Sequence, residues 1–369
     1  MAVIFDNGFY TSARQLYPFS SFTFTTAGVS GSFGPSGSVL LASYTGSSSG
    51  SYFSNPQYFT TSSFRGYQIW TVPKTGTYQI EAGGSRSGMG TGAIAAPTSV
   101  LTGSGAIIKA NLFLSQGDKL MMVVGQYADS TGSQQTSYTT YLGYGGGGGS
   151  YVVLSGSSLT PLLVAGGGGG AGHYFSYNSG RYYSGSNGVT TPNGGASVQG
   201  APGGTGSMGG RSHINTGSAV SLNAYDGGGG GGFLGYGYNG AGLINSQSVN
   251  SSQGSGGWSF ISGSVGGMTG TTYTNYAGTA GGFGGGGGGN GIIAGGGGGG
   301  YSGGGGTYAA GNPASDAGGG GGSYIISTAT NVATSNGNYD NLSTFSGSAI
   351  TNLAKYNSGS GYIKITLIG

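Results

Sequence analysis

Residues 145–154 read Gly145-Gly146-Gly147-Gly148-Gly149-Ser150-Tyr151-Val152-Val153-Leu154, and residues 318–326 repeat the phrase as Gly318-Gly319-Gly320-Gly321-Gly322-Ser323-Tyr324-Ile325-Ile326. In both, an uninterrupted glycine run ends at a serine and opens into aromatic and β-branched residues, which favour a pleated, half-buried strand. The echo predicts two equivalent strand entries fed by glycine segments. Further runs occupy 166–170, 227–232, 284–289, 295–300 and 303–306. Their irregular spacing argues against a regular solenoid.

Strand signals surround the runs. Tyr67–Val72 and Thr77–Ala82 flank a Pro73…Gly76 turn and predict a β-hairpin, with Tyr78 and Ile80 on one face and Gln79 and Glu81 on the other. Ala106–Leu114 continues the alternation, directing Ile108, Ala110, Leu112 and Leu114 inward, and Lys119–Val124 follows a Gln116–Asp118 turn. Short apolar runs at Tyr151–Leu154, Leu162–Ala165 and Tyr324–Ile326 read as buried strands. The closing Tyr362–Ile368 alternates, with Ile363, Ile365 and Leu367 on one side. No window spaces helix formers at 3.6 residues, so no helix is expected. Residues 1–66 are poorer in glycine; Phe22–Thr25 reads as a strand and Gly34–Gly37 as a turn.

Composition bounds the function. Glycine supplies 92 of 369 residues, charged residues only 5%, and the net charge is +3. With 27 Tyr and 15 Phe but few aliphatics, the chain can build a thin aromatic core. Lysines and arginines stand singly, so no phosphate-tracking groove is expected. The absence of cysteine removes disulfides, thiolate metal sites and cysteine nucleophiles together. Met1–Gly8 lacks the charged and apolar regions of a signal peptide, and no apolar stretch approaches the ~20 residues of a membrane span.

Four readings of the glycine runs compete. A flexible linker is one. Collagen fails because the Gly-X-Y period is missing, and a phosphate loop fails because no lysine stands in its context. The fourth, preferred reading is a bundle of polyglycine-II helices, extended and left-handed, with three residues per turn and no internal hydrogen bonds. Their N–H and C=O groups point outward and must be met by neighbouring helices. Only glycine lets backbones approach so closely. The opposing term is conformational entropy, ~1–2 kcal/mol for each ordered residue, so collective bonding anchored by strands is required. The expected fold is all-β: a jelly-roll-like β-sandwich with an inserted polyglycine-II helix bundle, over residues 67–369. Residues 1–66 are expected to form an attachment or assembly segment.

Catalysis is not expected. His173 and His213 are the only histidines and stand apart from any marked Asp and Ser. The seven acids, Asp6, Glu81, Asp118, Asp129, Asp226, Asp316 and Asp340, are dispersed, so neither a calcium loop nor a carboxylate pair is marked. No metal and no cofactor are predicted. The binding candidates are Tyr174, Phe175, Tyr177, Arg181, Tyr182 and Tyr183, in an insertion expected to project as a loop from the bundle end. Tyr and Arg join contact area to hydrogen bonding, and aromatic rings stack on sugars. The competing reading has these residues seal the bundle or meet a neighbouring subunit. Trp258 and Phe260 in another insertion admit the same two readings.

Leu162–Gly170, Gly295–Gly304 and Gly361–Ile365 resemble the glycine-rich extracellular domain of anaplastic lymphoma kinase and leukocyte tyrosine kinase receptors. That resemblance implies polyglycine helices inserted between strands of a jelly-roll-like sandwich; the absence of cysteine departs from it. Phe22–Val29 with Gly34-Pro35, followed by Ile69–Tyr78, resembles glycine-rich bacteriophage virion fibre and adhesin proteins, which the cysteine-free composition fits better. The second resemblance implies a tail-fibre role in host attachment. The partners it implies are host cell-surface polysaccharide or protein, other virion proteins and further copies of the chain, as a trimer in many such fibres. Nucleic acid is not an expected partner. Synthesis in a host cytoplasm without a signal peptide, and residence in the virion, follow as expectations. The alternative is a self-assembling filament or capsid-decorating protein.

Overall fold

The structure, a computed structural model, describes residues 14–46, 51–88, 102–127, 141–174, 181–212, 226–240, 253–270, 277–290, 294–307, 317–335 and 359–369. Its elements in chain order begin with β1 (Ser21–Phe24), α1 (Gly37–Thr45), β2 (Phe59–Thr61), β3 (Tyr67–Thr71) and β4 (Gly76–Gly83). β5 (Ile107–Leu114), β6 (Lys119–Val123), β7 (Tyr141–Gly143), β8 (Ser150–Ser155) and β9 (Leu159–Ala165) follow. The last are β10 (Gly172–Tyr174), β11 (Arg181–Tyr183), β12 (Ala277–Gly278), β13 (Tyr324–Ile325), β14 (Thr330–Ser335) and β15 (Tyr362–Leu367).

Two antiparallel sheets form an all-β sandwich, in the orders β1-β15-β4-β5-β14 and β13-β9-β8-β6-β3-β2. Alternation fills the space between them as the sequence expects. Tyr78, Ile80, Ala82, Ile108, Ala110, Ile363 and Ile365 face Trp70, Leu120, Met122, Val152 and Leu163 in one core. The Tyr67–Ala82 hairpin is not formed. β3 pairs with β2 and β6, while β4 pairs with β5 and β15. Residues 73–75 therefore cross from one sheet to the other, and 115–118 cross back beside them, joined by Val72 N–H to Asp118 O at 2.8 Å and Gly117 N–H to Val72 O at 2.9 Å. A Pro…Gly turn marks reversal but not its plane. Here both flanking strands owe an apolar face to the same core, and facing it from opposite sides satisfies both.

The first 66 residues contribute to both sheets through β1 and β2. A helix is present after all. Ser36 caps it by accepting the Val39 N–H at 3.4 Å, and Leu40 and Tyr44, one turn apart, bury the same face. Leu40 and Tyr44 join Phe24, Phe53 and Phe59 in the sandwich core. Four residues of spacing in a nine-residue helix are too few for periodicity to register in a Ser-rich stretch. The Tyr44 hydroxyl accepts the Thr25 N–H at 2.9 Å and lies 2.7 Å from Gln68 Oε1.

The glycine segments bond to one another with a period of three. Gly296, Gly297 and Gly298 donate to the carbonyls of Tyr144, Gly228 and Gly319; the next three, Gly299, Gly300 and Tyr301, donate to Gly147, Gly231 and Gly322. Each neighbouring segment is thus revisited three residues later, in parallel. On the acceptor side the carbonyls of Gly296 and Gly299 receive Gly170 and Gly167, those of Gly295 and Gly298 receive Thr307 and Gly304, and that of Gly297 receives Gly287. These three neighbours run the other way. The 295–301 segment therefore lies inside a ring of six. Side chains cannot enter: a Cβ on Gly298 would stand 2.2 Å from Gly167 O, and one on Gly297 2.1 Å from Gly304 O.

One sheet of the sandwich carries the bundle. The face of β3, β6, β8 and β9 turned from the main core presents Tyr67, Val123, Tyr151, Val153 and Val164, packed against Phe233, Phe260 and Phe283 from turns between glycine segments. Tyr301 and Tyr324 extend this cluster with rings 4.4 Å apart. Serines mark the passage from glycine to strand. Ser150 Oγ accepts the Gly125 N–H at 3.0 Å and donates to Gly83 O at 2.7 Å, and Ser323 Oγ accepts the Gly166 N–H at 3.0 Å.

Two tests follow from this packing. Gly298→Ala is expected to cost about 3 kcal/mol or more in denaturant unfolding, because backbone must shift to admit the methyl group. Gly156→Ala, whose nearest neighbour would be 3.9 Å away, is expected to stay within about 0.5 kcal/mol of the parent. For pH, burial pushes the Tyr44 phenol up to about 12, and it pushes Tyr17, Tyr67 and Tyr151 up as well. The folded state thus holds these phenols neutral more tightly than the unfolded chain does. Stability should be insensitive to their titration below about pH 10 and fall as pH rises beyond it. Phenolate absorbance from these residues is expected to appear together with unfolding; gradual ionisation of Tyr151 in the folded chain would contradict the packing.

Candidate functional site

The bundle has a sandwich end and a distal end, and the hydrogen-bond register separates them. Gly88 bonds to Gly145, Gly240 to Gly254, Asn290 to Ala294, Thr307 to Gly295 and Val198 to Ala317, all at segment ends remote from the Phe233, Phe260 and Phe283 turns. As a consequence, the described residues on both sides of 89–101, 175–180, 213–225, 241–252, 271–276, 291–293 and 308–316 meet at the distal end. Among the described residues, the sandwich-side turns carry Phe233, Phe260 and Phe283.

A four-stranded sheet, β11-β10-β7-β12, sits at that end. β10 pairs antiparallel with both β11 and β7, while β12 joins β7 in parallel. His173 and Tyr174, then Arg181 to Tyr183, supply aromatic strand formers where the glycine segments give out. Tyr174 stands opposite Arg181 on one side and Tyr141 on the other; His173 stands between Tyr182 and Leu142. Tyr174, Arg181, Tyr182 and Tyr183 are thus brought together on a strand pair, where the sequence reading expected a projecting loop. A strand pair can form here because Tyr141–Gly143 offers β10 a partner edge. Phe175 and Tyr177 lie outside the described residues. Tyr183 is half-buried.

Trp258 and Phe260 separate into different roles. Phe260 is buried at the centre of the aromatic cluster, 5.1 Å from the rings of Tyr67, Tyr151 and Phe233. Trp258 is half-buried and meets Tyr236 edge to face at 5.9 Å. Packing, not recognition, accounts for Phe260.

Charges are few. Among the described residues Glu81 and Lys109 form an ion pair at 3.9 Å on the outer face of β4 and β5, where Tyr362 also donates to Glu81. Two arginines sit over tyrosine rings in the bundle: Arg86 over Tyr127 at 5.1 Å and Arg211 over Tyr238 at 5.4 Å. Burial lowers the Arg86 guanidinium from its ordinary value, with Tyr127 opposing the shift. Sequence reading passed over both pairs, since each arginine and its tyrosine are separated by 27 residues or more; single arginines inside glycine segments were the available signal. Among the described residues no group of three or more His, Asp or Glu is placed to hold a metal ion. His213, Asp6, Asp129, Asp316 and Asp340 lie outside them. No helix among them is long and apolar enough to cross a membrane.

No known protein family matches the sequence, and no curated protein is significantly similar to it.

Phe260→Ala is expected to cost about 3–5 kcal/mol in chemical denaturation, as for a buried aromatic truncated in a core. Trp258→Ala should cost clearly less. A stable Phe260→Ala protein that had lost a ligand would return Phe260 to the recognition residues.

Proposed function

We propose that this chain is a virion fibre or adhesin component, a non-catalytic scaffold that presents host-binding residues at the distal end of a polyglycine-II bundle. The observation that carries the reading is the meeting, at one end, of the described residues that flank seven inter-segment stretches, opposite an end locked to the sandwich by aromatic packing. The three-residue period of hydrogen-bond partners supports the helix type, since a polyglycine-II helix has three residues per turn and bonds only to neighbours. Rigid scaffolds with variable connections at one end are the usual layout of recognition proteins. Tyr174, Arg181, Tyr182 and Tyr183 lie on one strand pair at that distal end, and residues of these types suit recognition of a surface polysaccharide or protein of the host. The resemblance of the N-terminal third to phage fibre proteins points the same way.

A second reading is supported by exposed apolar residues around the sandwich-side turns. Met208, Leu234, Ile261, Phe64 and Phe33 are each 45–51% exposed. Leu234 bonds to Ser207, Ile261 to Phe233, and Phe64 packs beside Gly263, so they form one neighbourhood. Such a patch suits contact between copies of the chain in a fibre or filament.

The attachment reading is tested by incubating the full chain with a panel of bacterial cells and their extracted surface polysaccharides. Specific binding is expected, with Arg181→Ala plus Tyr183→Ala weakening it at least about tenfold while the melting temperature moves by no more than about 2 °C. Absence of binding across the panel, or unchanged binding by the double variant, would count against it. For the assembly reading, sedimentation should show oligomers that Leu234→Asp plus Ile261→Asp dissociates.

A further inference from the structure

We infer that Tyr301 and Tyr324 form an oxidative cross-linking site, at which a peroxide acting through a peroxidase joins the two phenols as dityrosine and staples the glycine bundle to the sandwich. The site goes beyond the attachment reading and does not depend on it.

The pair stands where the two parts of the molecule meet. Tyr301 closes the 295–301 segment at the centre of a ring of six, and Tyr324 opens β13 at the edge of its sheet. Backbone bonds hold both in place. The Tyr301 N–H donates to Gly322 O at 2.8 Å, the Gly322 N–H donates to Ser302 O at 2.7 Å, and Tyr324 is in register with Val164 of β9. The rings lie stacked, 18° from parallel, with centroids 4.4 Å apart, so their faces are in contact. Burial, and after it the Tyr324 phenol, push the Tyr301 hydroxyl up. Tyr301 is therefore a neutral phenol at ordinary pH and gives up a proton with its electron.

Exposure sets this pair apart. Tyr17 also stacks, on Tyr52 at 4.5 Å, but those residues are only 5% and 8% exposed and the Tyr17 hydroxyl donates to Thr71 O. Tyr301 and Tyr324 are each half-buried, which leaves them open to an oxidant in solution. A chain without cysteine closes no disulfide; a phenol pair supplies a covalent link in its place.

The reaction balances with one peroxide. Each phenol loses one electron and its hydroxyl proton, leaving two phenoxyl radicals whose unpaired spin reaches the carbons ortho to oxygen. One ortho carbon of each ring bonds to the other. The hydrogen each carried then passes through solvent to its ring oxygen and restores the phenol. The peroxide takes up the two electrons and two protons, its O–O bond breaks, and two waters form.

Treating the dilute full chain with hydrogen peroxide and a haem peroxidase, then mapping its peptides by mass spectrometry, tests the site. A product linking the peptides of Tyr301 and Tyr324, lighter than their sum by two hydrogens and fluorescing as dityrosine, is expected from the folded chain and not from the chain in urea. Tyr324→Phe keeps the stacked ring and should leave Tyr301 unlinked. The linked chain should melt at least about 2 °C higher than the untreated one, as for a covalent loop closed between two elements. Equal linkage in urea, or recovery of both tyrosines unlinked while dityrosine forms elsewhere, would overturn the site. Linkage of Tyr301 to another tyrosine at the parent yield in Tyr324→Phe would overturn the pairing, and an unchanged melting temperature would overturn the staple.

Discussion

Backbone hydrogen bonding between glycine segments, at a distance that excludes any side chain, is the constraint on which the molecule depends. An extended segment has no internal partner for its N–H or C=O groups, and a buried group left unpaired costs about 1–3 kcal/mol. The 295–301 segment meets that demand by donating to three parallel neighbours and accepting from three antiparallel ones. The same closeness that makes those bonds places any Cβ about 2 Å from a carbonyl oxygen, as at Gly296 and Gly299. Glycine is therefore required by space at these positions, whatever its backbone angles. At the turn after Phe283 the requirement is different: Gly284 and Gly285 hold φ of +103° and +85°, a region other residues avoid.

Such a lattice has no hydrophobic core of its own, and ordering glycine carries the largest entropic cost of any residue. The sandwich supplies what is missing. Phe233, Phe260 and Phe283, with Tyr301 and Tyr324 beside them, bring apolar area to the turns and bury it on β3, β6, β8 and β9. Each aromatic follows a glycine segment closely in sequence, so the segment's length fixes where its ring lands. Ser150 and Ser323 settle the remaining mismatch. Where the three-fold pattern of the bundle gives way to the two-fold pattern of a strand, a glycine N–H loses its backbone partner and a serine oxygen takes it.

Much of this was legible in the residues, and the exceptions share a cause. Alternation placed Tyr78, Ile80, Ala110, Leu112, Ile363 and Ile365 correctly because period two acts locally. The echo of Gly-Ser-Tyr at 149–151 and 322–324 marked two strand entries, and β8 and β13 indeed flank β9 on either side. Pairing was not legible. The Pro73–Gly76 turn looks the same whether it closes a hairpin or carries the chain between sheets, and only the shared core decides. The distal sheet was not legible because its strands are two or three residues long and two of its pairings join residues far apart in sequence, as Ala277 and Leu142 are. Helix α1 escaped because one i,i+4 pair, Leu40 and Tyr44, is its whole buried face. Of the recognition candidates, Tyr174 and Arg181 were found as residues but not as strand neighbours. Arg86 was missed because nothing in a lone arginine announces burial.

The division between the two ends also shapes what the protein can vary. Inside the bundle the packed glycine positions admit no side chain without moving backbone. At the sandwich end the turns are committed to aromatic packing. Variation is therefore confined to the distal connections and to the few positions, such as Arg86 and Arg211, where a side chain leaves the lattice edge and rests on a tyrosine. A scaffold fixed by its backbone alone places no sequence demand on what it carries, beyond the spacing of the two segment ends each connection must join. Under the attachment role proposed above, that separation lets binding residues change while the fold that holds them stays the same.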